Sequence, residues 1–185
     1  MYKLSDRLNT IAENELINRC KNGDMKSYEL LYARYSHAMY HTCLRIVNNT
    51  SDAEDMLQET FLDAFTTLKK LKDTRAFAGW LKRIAINKSL NYVNRQKRAW
   101  VELDGITDTD VPEEEIVDEE LFRFKIEAIQ KELVQLPENQ RIVISLHVFE
   151  DLDFEEIAEL AGIPSSTVRS HYARGRQRVL NKINH

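Results

Sequence analysis

The stretch FEEIAELAGIPSSTVRSHYARGRQRVL, residues 154–180, decides how this chain is read. Its first part is acidic and apolar. From Gly162 to His185 the chain carries five Lys/Arg and no acidic residue. Counting Phe154 as the first position, Ala158 falls fifth, Gly162 ninth and Val168 fifteenth. A small residue where two helices cross, a glycine that accepts a left-handed turn and a branched apolar residue in the interhelical angle are what a helix-turn-helix requires. Val168, Ile157 and Ile163 are the residues expected to fill that angle. Asp153 and Glu156 have capping-box spacing at the start of the first helix, and Pro164 stands just before the second.

The second helix is the candidate reader of duplex DNA. Ser165, Ser166, Thr167 and Arg169 stand where base edges would be met, with Ser170 and His171 behind them. Arg174, Arg176, Arg178 and Lys182 suit phosphates. The alternative is a helical hairpin with a solvated basic face.

Outward from this unit the charges are sorted. Residues 1–100 hold 17 Lys/Arg against 11 Asp/Glu, and residues 101–140 hold 3 against 13. The net charge of −4 therefore hides a basic half, which matters more for nucleic-acid binding than the sum. The stretch VELDGITDTDVPEEEIVDEE, residues 101–120, contains ten acids with Gly105 and Pro112, and helical periodicity fails across it. It reads as a linker kept extended by like-charge repulsion, with a reach of about 65 Å.

Periodicity returns on both sides, and no segment alternates as a strand would. Asn22-Gly23-Asp24, NNTSDAED and LKKLKDTRAFAG each interrupt an otherwise helical first half. SDAEDMLQETFLDAFTTL has an apolar face (Ala53, Met56, Leu57, Phe61, Ala64, Phe65, Leu68) and an acidic one (Asp52, Asp55, Glu59, Asp63). Ser51 and Glu54 have capping-box spacing. The acidic row is either a solvated face or a docking face for a basic partner. From Lys69 to Arg98 there are ten basic residues and one acid, Asp73. Phe77, Trp80, Leu81 and Ile84 recur there among Arg83, Asn87, Lys88 and Arg95. Cations with aromatics suit single-stranded nucleic acid, although Phe77 and Trp80 read equally as core.

Other chemistries find little footing. His37 and His41 stand at i and i+4 without an evident third ligand, so no metal site is expected. No phosphate-cradling glycine loop or nucleophile–base pair is present, so neither a cofactor nor an enzymatic reaction is expected. Cys20 and Cys43 read as free thiols. No run approaches a membrane span of about eighteen apolar residues, and the first residues lack a signal-peptide core. A cytoplasmic protein without membrane insertion is expected.

Three segments together resemble the bacterial RNA polymerase sigma factors of the extracytoplasmic-function (ECF) group: SDAEDMLQETFLDAF, FAGWLKRIAINKSLNYVNRQKR and LPENQRIVISLHVFEDLDFEEIAELAGIPSSTVRSHYARGRQRVL. The resemblance covers nearly the whole chain in order. It implies an all-α fold of two small helical domains joined by an acidic linker: a region 2 bundle over 8–98, the linker over 99–120 and a region 4 helix-turn-helix over 121–185. It implies docking on the clamp helices of the polymerase's largest subunit through Asp55, Gln58 and Glu59, with Asp52 and Asp63 in the same row. The loop around Lys69, Lys72 and Arg75 would capture a flipped base of the −10 element, with Trp80, Arg83, Asn87, Lys88 and Arg95 on the following helix beside it. The C-terminal helix would read the −35 element, and its domain would rest on the polymerase flap. Family members are commonly held by an anti-sigma factor. The sequence departs from the family pattern at His171, where Arg is usual, at Gly175, where Ala is usual, and at Asp151, where Gly is usual. The remaining alternative is a conventional helix-turn-helix regulator that binds duplex DNA on its own.

Overall fold

The computed structural model describes residues 12–96 and 130–183, and among them there is no strand. The expected linker, 99–120, lies outside the described residues. The chain divides into two compact units, 1–91 and 92–185.

The first described helix of the first unit is α1 (Glu13–Lys21), whose acids open it and whose Arg19 and Lys21 close it, in keeping with the helix dipole. Asn22 to Asp24 break the chain as expected. The amide of Gly23 bonds back to the Cys20 carbonyl at 2.9 Å, and Asp24 caps α2 (Met25–Val47) by accepting from the Lys26 amide. Asn48 ends α2 in the left-handed conformation, φ 56°. The next helix, α3 (Thr50–Thr67), is capped by Asn49, whose side-chain oxygen accepts from the Asp52 amide at 3.1 Å. The expected Ser51–Glu54 box is corrected by this. The helix starts early enough that Ser51 is already inside its first turn, and the Asn49 side-chain oxygen caps it by taking the Asp52 amide, where a Ser51 cap would have taken the Glu54 amide.

Two single-turn 3₁₀ segments, Leu68–Lys70 and Thr74–Ala76, lead into α4 (Phe77–Gln96). Tyr28, Tyr32 and Tyr35 lie one helical turn apart on α2. Tyr28 meets Phe65, Tyr32 meets Phe61 and Tyr35 meets Phe77, with ring centroids 4.6–5.3 Å apart. Phe77 is fully buried, so it is core. Trp80 is half-buried beside it, centroids 6.0 Å apart.

In the second unit, the short α5 (Gln130–Leu133) precedes α6 (Glu138–Val148), which is buried from Gln140 to Leu146. Asp151 follows with φ 56°, a left-handed turn that explains why a glycine would suit this position. The capping box at α7 (Phe154–Ala161) is present in both directions, with Glu156 N to Asp153 at 2.7 Å and Asp153 N to Glu156 at 3.0 Å. Gly162 ends α7 at φ 71°, as expected, and its amide bonds to Ala158 O at 2.9 Å. Then α8 (Ser165–Ile183) runs to the end of the described chain.

Candidate nucleic-acid interface

In the second unit α7 and α8 form the helix-turn-helix. Val168 and Ile157 are fully buried in the angle between them. Phe154 stacks on His147 (4.7 Å) and meets Tyr172 (5.2 Å), which fixes the start of α7 against α6 and α8. Of the residues expected to meet the −35 element, Ser166, Arg169 and Arg178 are exposed, and Ser165, Thr167, Arg174 and Arg176 are half-buried.

Ser170 and His171 are different. They are 8% and 4% exposed. Both were expected among the DNA-contacting residues, and both lie largely buried on α8. His171 and Gly175 lie one turn apart on the packing side of α8, with Val168 and Val179. The sequence holds the signal in that spacing. Gly175 explains itself in the same way: a β-carbon there would lie 2.7 Å from Ile144 Cδ1 and 3.1 Å from Gln140 Cβ. The missing side chain lets α8 approach α6.

Several cations are also structural. Arg178 donates to Gln140 Oε1 at 2.9 Å, and Lys182 pairs with Glu132 at 2.8 Å. Arg169 pairs with Glu155 of α7, and its guanidinium lies 5.5 Å above the Phe154 ring centre. The expected base reader is thus held by the first helix of the helix-turn-helix.

In the first unit Asp55, Gln58, Glu59 and Asp63 are exposed along α3, with Asp52 half-buried at its start. Lys88 reaches from α4 to this row, 2.7 Å from Asp63 and 3.2 Å from Glu59. The Asp63 bond, helped by Glu59, holds the Lys88 ammonium above the usual lysine range against the opposing effect of burial. This lysine is therefore a partner of the acidic row before it is a partner of DNA.

Lys69, Lys72 and Arg75 are exposed on the segment between α3 and α4, and Arg83, Asn87 and Arg95 are exposed on α4. Arg75 forks onto Asp73, Nε to Oδ1 at 3.1 Å and Nη2 to Oδ2 at 3.0 Å, and this holds the Asp73 carboxyl below the usual range. Two contacts that no local pattern announces tie this segment to α1. Lys21 Nζ donates to Leu71 O at 2.6 Å, and Thr74 Oγ1 donates to Asn14 Oδ1 at 2.8 Å. His37 and His41 approach to 3.3 Å between their Nε2 atoms, and among the described residues no third ligand joins them.

Comparison with known proteins matches residues 31–99 to Sigma-70 region 2 and residues 126–179 to Sigma-70, region 4. The chain is 32% identical to the ECF RNA polymerase sigma-E factor of Haemophilus influenzae, over 94% of this chain and 96% of the relative. It belongs to the ECF RNA polymerase sigma factors. The RNA polymerase sigma-H factor of Pseudomonas aeruginosa is 31% identical over 90% of this sigma factor and 91% of its own length. The fold agrees with solved structures. CnrH in complex with the cytosolic domain of CnrY matches with TM-score 0.55 at 21% identity, over 94% of this chain and 98% of that one. Sigma factor RpoE in complex with the anti-sigma factor NepR, from Bartonella quintana, matches with TM-score 0.53 at 20% identity, over 86% and 98%. In this sigma factor, among the described residues, no helix is long and apolar enough to cross a membrane.

Proposed function

We propose that this chain is an alternative sigma factor that joins core RNA polymerase and directs promoter-specific initiation. The observation that carries this reading is the pairing, on one chain, of a helix-turn-helix with an exposed Arg169 and a helical bundle whose acidic row adjoins a basic strip. Relatives that match almost end to end are named as sigma factors, which disfavours a stand-alone regulator.

The proposed division is 8–98 for polymerase docking and −10 capture, 99–120 for the linker and 121–185 for −35 reading. Asp55, Gln58 and Glu59 meet the clamp helices, and the row's two ends, Asp52 and Asp63, frame them. The segment Lys69–Arg75 captures the unpaired −10 base, with Arg83, Asn87 and Arg95 alongside. Arg169 and Ser166 read the −35 duplex. The second unit rests on the polymerase flap.

Such a protein does no covalent chemistry. It holds unpaired bases, and that binding offsets unstacking, which costs a few kcal/mol per base. It acts where the polymerase is, in the cytoplasm. Solved proteins of the same fold are complexed with the cytosolic domain of CnrY and with the anti-sigma factor NepR. An anti-sigma factor is the expected restraint on this chain too. Run-off transcription with purified chain, core polymerase and a promoter panel tests the proposal. Specific transcripts that depend on the chain are expected, and their absence with every core enzyme tried overturns it.

A further inference from the structure

The segment proposed to capture the −10 base has little structure of its own. It consists of two 3₁₀ turns, Leu68–Lys70 and Thr74–Ala76, joined by Leu71 to Asp73. Short 3₁₀ turns have poor hydrogen-bond geometry and do not persist unaided. Its inner end is anchored by Leu68, which is fully buried. Asp73 caps the second turn through the Arg75 amide at 3.0 Å.

The remaining restraints come from far away in the sequence. Lys21, half-buried at the end of α1, donates its ammonium proton to the Leu71 carbonyl. Asn14, near the start of α1, accepts from the Thr74 hydroxyl. Seven residues of helix separate the two, about 10 Å of rigid rod. The two bonds, one to the Leu71 backbone carbonyl and one to the Thr74 side chain, hold the segment on either side of Lys72 and Asp73. Lys69, Lys72 and Arg75 are left pointing at solvent, Arg75 with 81% of its side chain exposed. A cation bonded to a carbonyl is among the stronger hydrogen bonds a surface can make.

We propose that Lys21 and Asn14 are positioning residues for −10 recognition. They splint the capture segment from α1 so that its cations and backbone are set before an unpaired base arrives. A loop ordered in advance does not lose conformational freedom on binding, so the splint strengthens and sharpens base capture without touching DNA. This inference rests on reading residues 69–75 as the capture segment.

The test uses holoenzyme assembled from core polymerase and the full chain. Its ligand is a fork-junction DNA with an unpaired −10 strand, varied one base at a time. Lys21→Met and Asn14→Ala should each weaken fork binding by about tenfold and flatten the preference among −10 bases. Duplex −35 binding and core assembly should be unchanged, and thermal melting should fall by no more than the loss of one surface hydrogen bond allows. Lys21→Arg, which keeps a cationic donor, should recover much of the loss. Normal −10 preference in both variants overturns the splint, as does a loss that only follows a fall in stability or assembly. Lys72→Ala and Arg75→Ala separate the two levels. If these weaken capture and the α1 variants do not, the splint alone fails. If none of the four matters, the capture segment has been misread and the splint falls with it.

Discussion

Lys88 Nζ stands 2.7 Å from an Asp63 carboxylate oxygen, tying the fourth helix to the acidic row of the third. Its side chain is 24% exposed, which keeps the pair partly out of water. Lys88→Met should cost about 1 kcal/mol in urea unfolding near neutral pH, the scale of a well-placed but solvated ion pair. The folded-state pKa of Lys88 is raised above the ordinary 10.5. The native state therefore holds this proton longer than the unfolded state does. The stabilisation is complete below the ordinary value and fades as pH rises through the folded one. The gap between wild type and variant should close in strongly alkaline urea titrations.

The same contact ranks the docking carboxylates. Lys88 partly compensates Glu59, whereas Asp55 is exposed one turn earlier and shares no ion pair among the described residues. Asp55→Lys should abolish retention on immobilised core polymerase, and Glu59→Gln should weaken it less. Full retention by Asp55→Lys, with helicity intact by circular dichroism, would contradict the docking assignment.

Residues along α8 should separate by their burial. Arg169→Ala should relax preference at one −35 base pair by about 1–3 kcal/mol, read by gel-shift competition across base variants. Arg178→Ala should weaken binding to all sequences alike and also lower the melting temperature, because it loses the Gln140 bond that joins α8 to α6. His171→Ala should lower the melting temperature and leave base preference unaltered. A change of preference there would restore His171 to the reading surface.

At Gly175 α8 lies close against Ile144 and Gln140 of α6. Gly175→Val should destabilise the chain by about 1–3 kcal/mol through overpacking. Ile144→Val deletes the Cδ1 atom that stands in the way. The double variant should therefore be more stable than the two single changes predict, and a thermal-denaturation double-mutant cycle reads that coupling. Strict additivity would show that the helices separate freely.

The helix-turn-helix was legible because its signals are local. The Asp153–Glu156 box, the left-handed Gly162 and Val168 in the angle each depend on neighbours a few residues away. The acidic row of α3 was legible too, from spacing of three and four. Errors came where local rules compete. Asn49 and Ser51 were both able to cap α3, and the helix began two residues earlier than the serine required. The burial of His171 and Ser170 was not foreseen either, since their basic neighbours drew them into one group along α8.

Composition and local pattern determined an all-helical chain, its turns, and where its positive and negative charges fall. Those follow from hydrogen bonds and side-chain spacing that act within about four residues along the chain. Tertiary packing alone decided which charges are spoken for: Lys88 by Asp63, Arg169 by Glu155, and the Leu71 carbonyl by Lys21. The partners in these contacts are 14 to 50 residues apart. They meet because of how far each helix is rotated against its neighbour, and no short window of sequence records that angle.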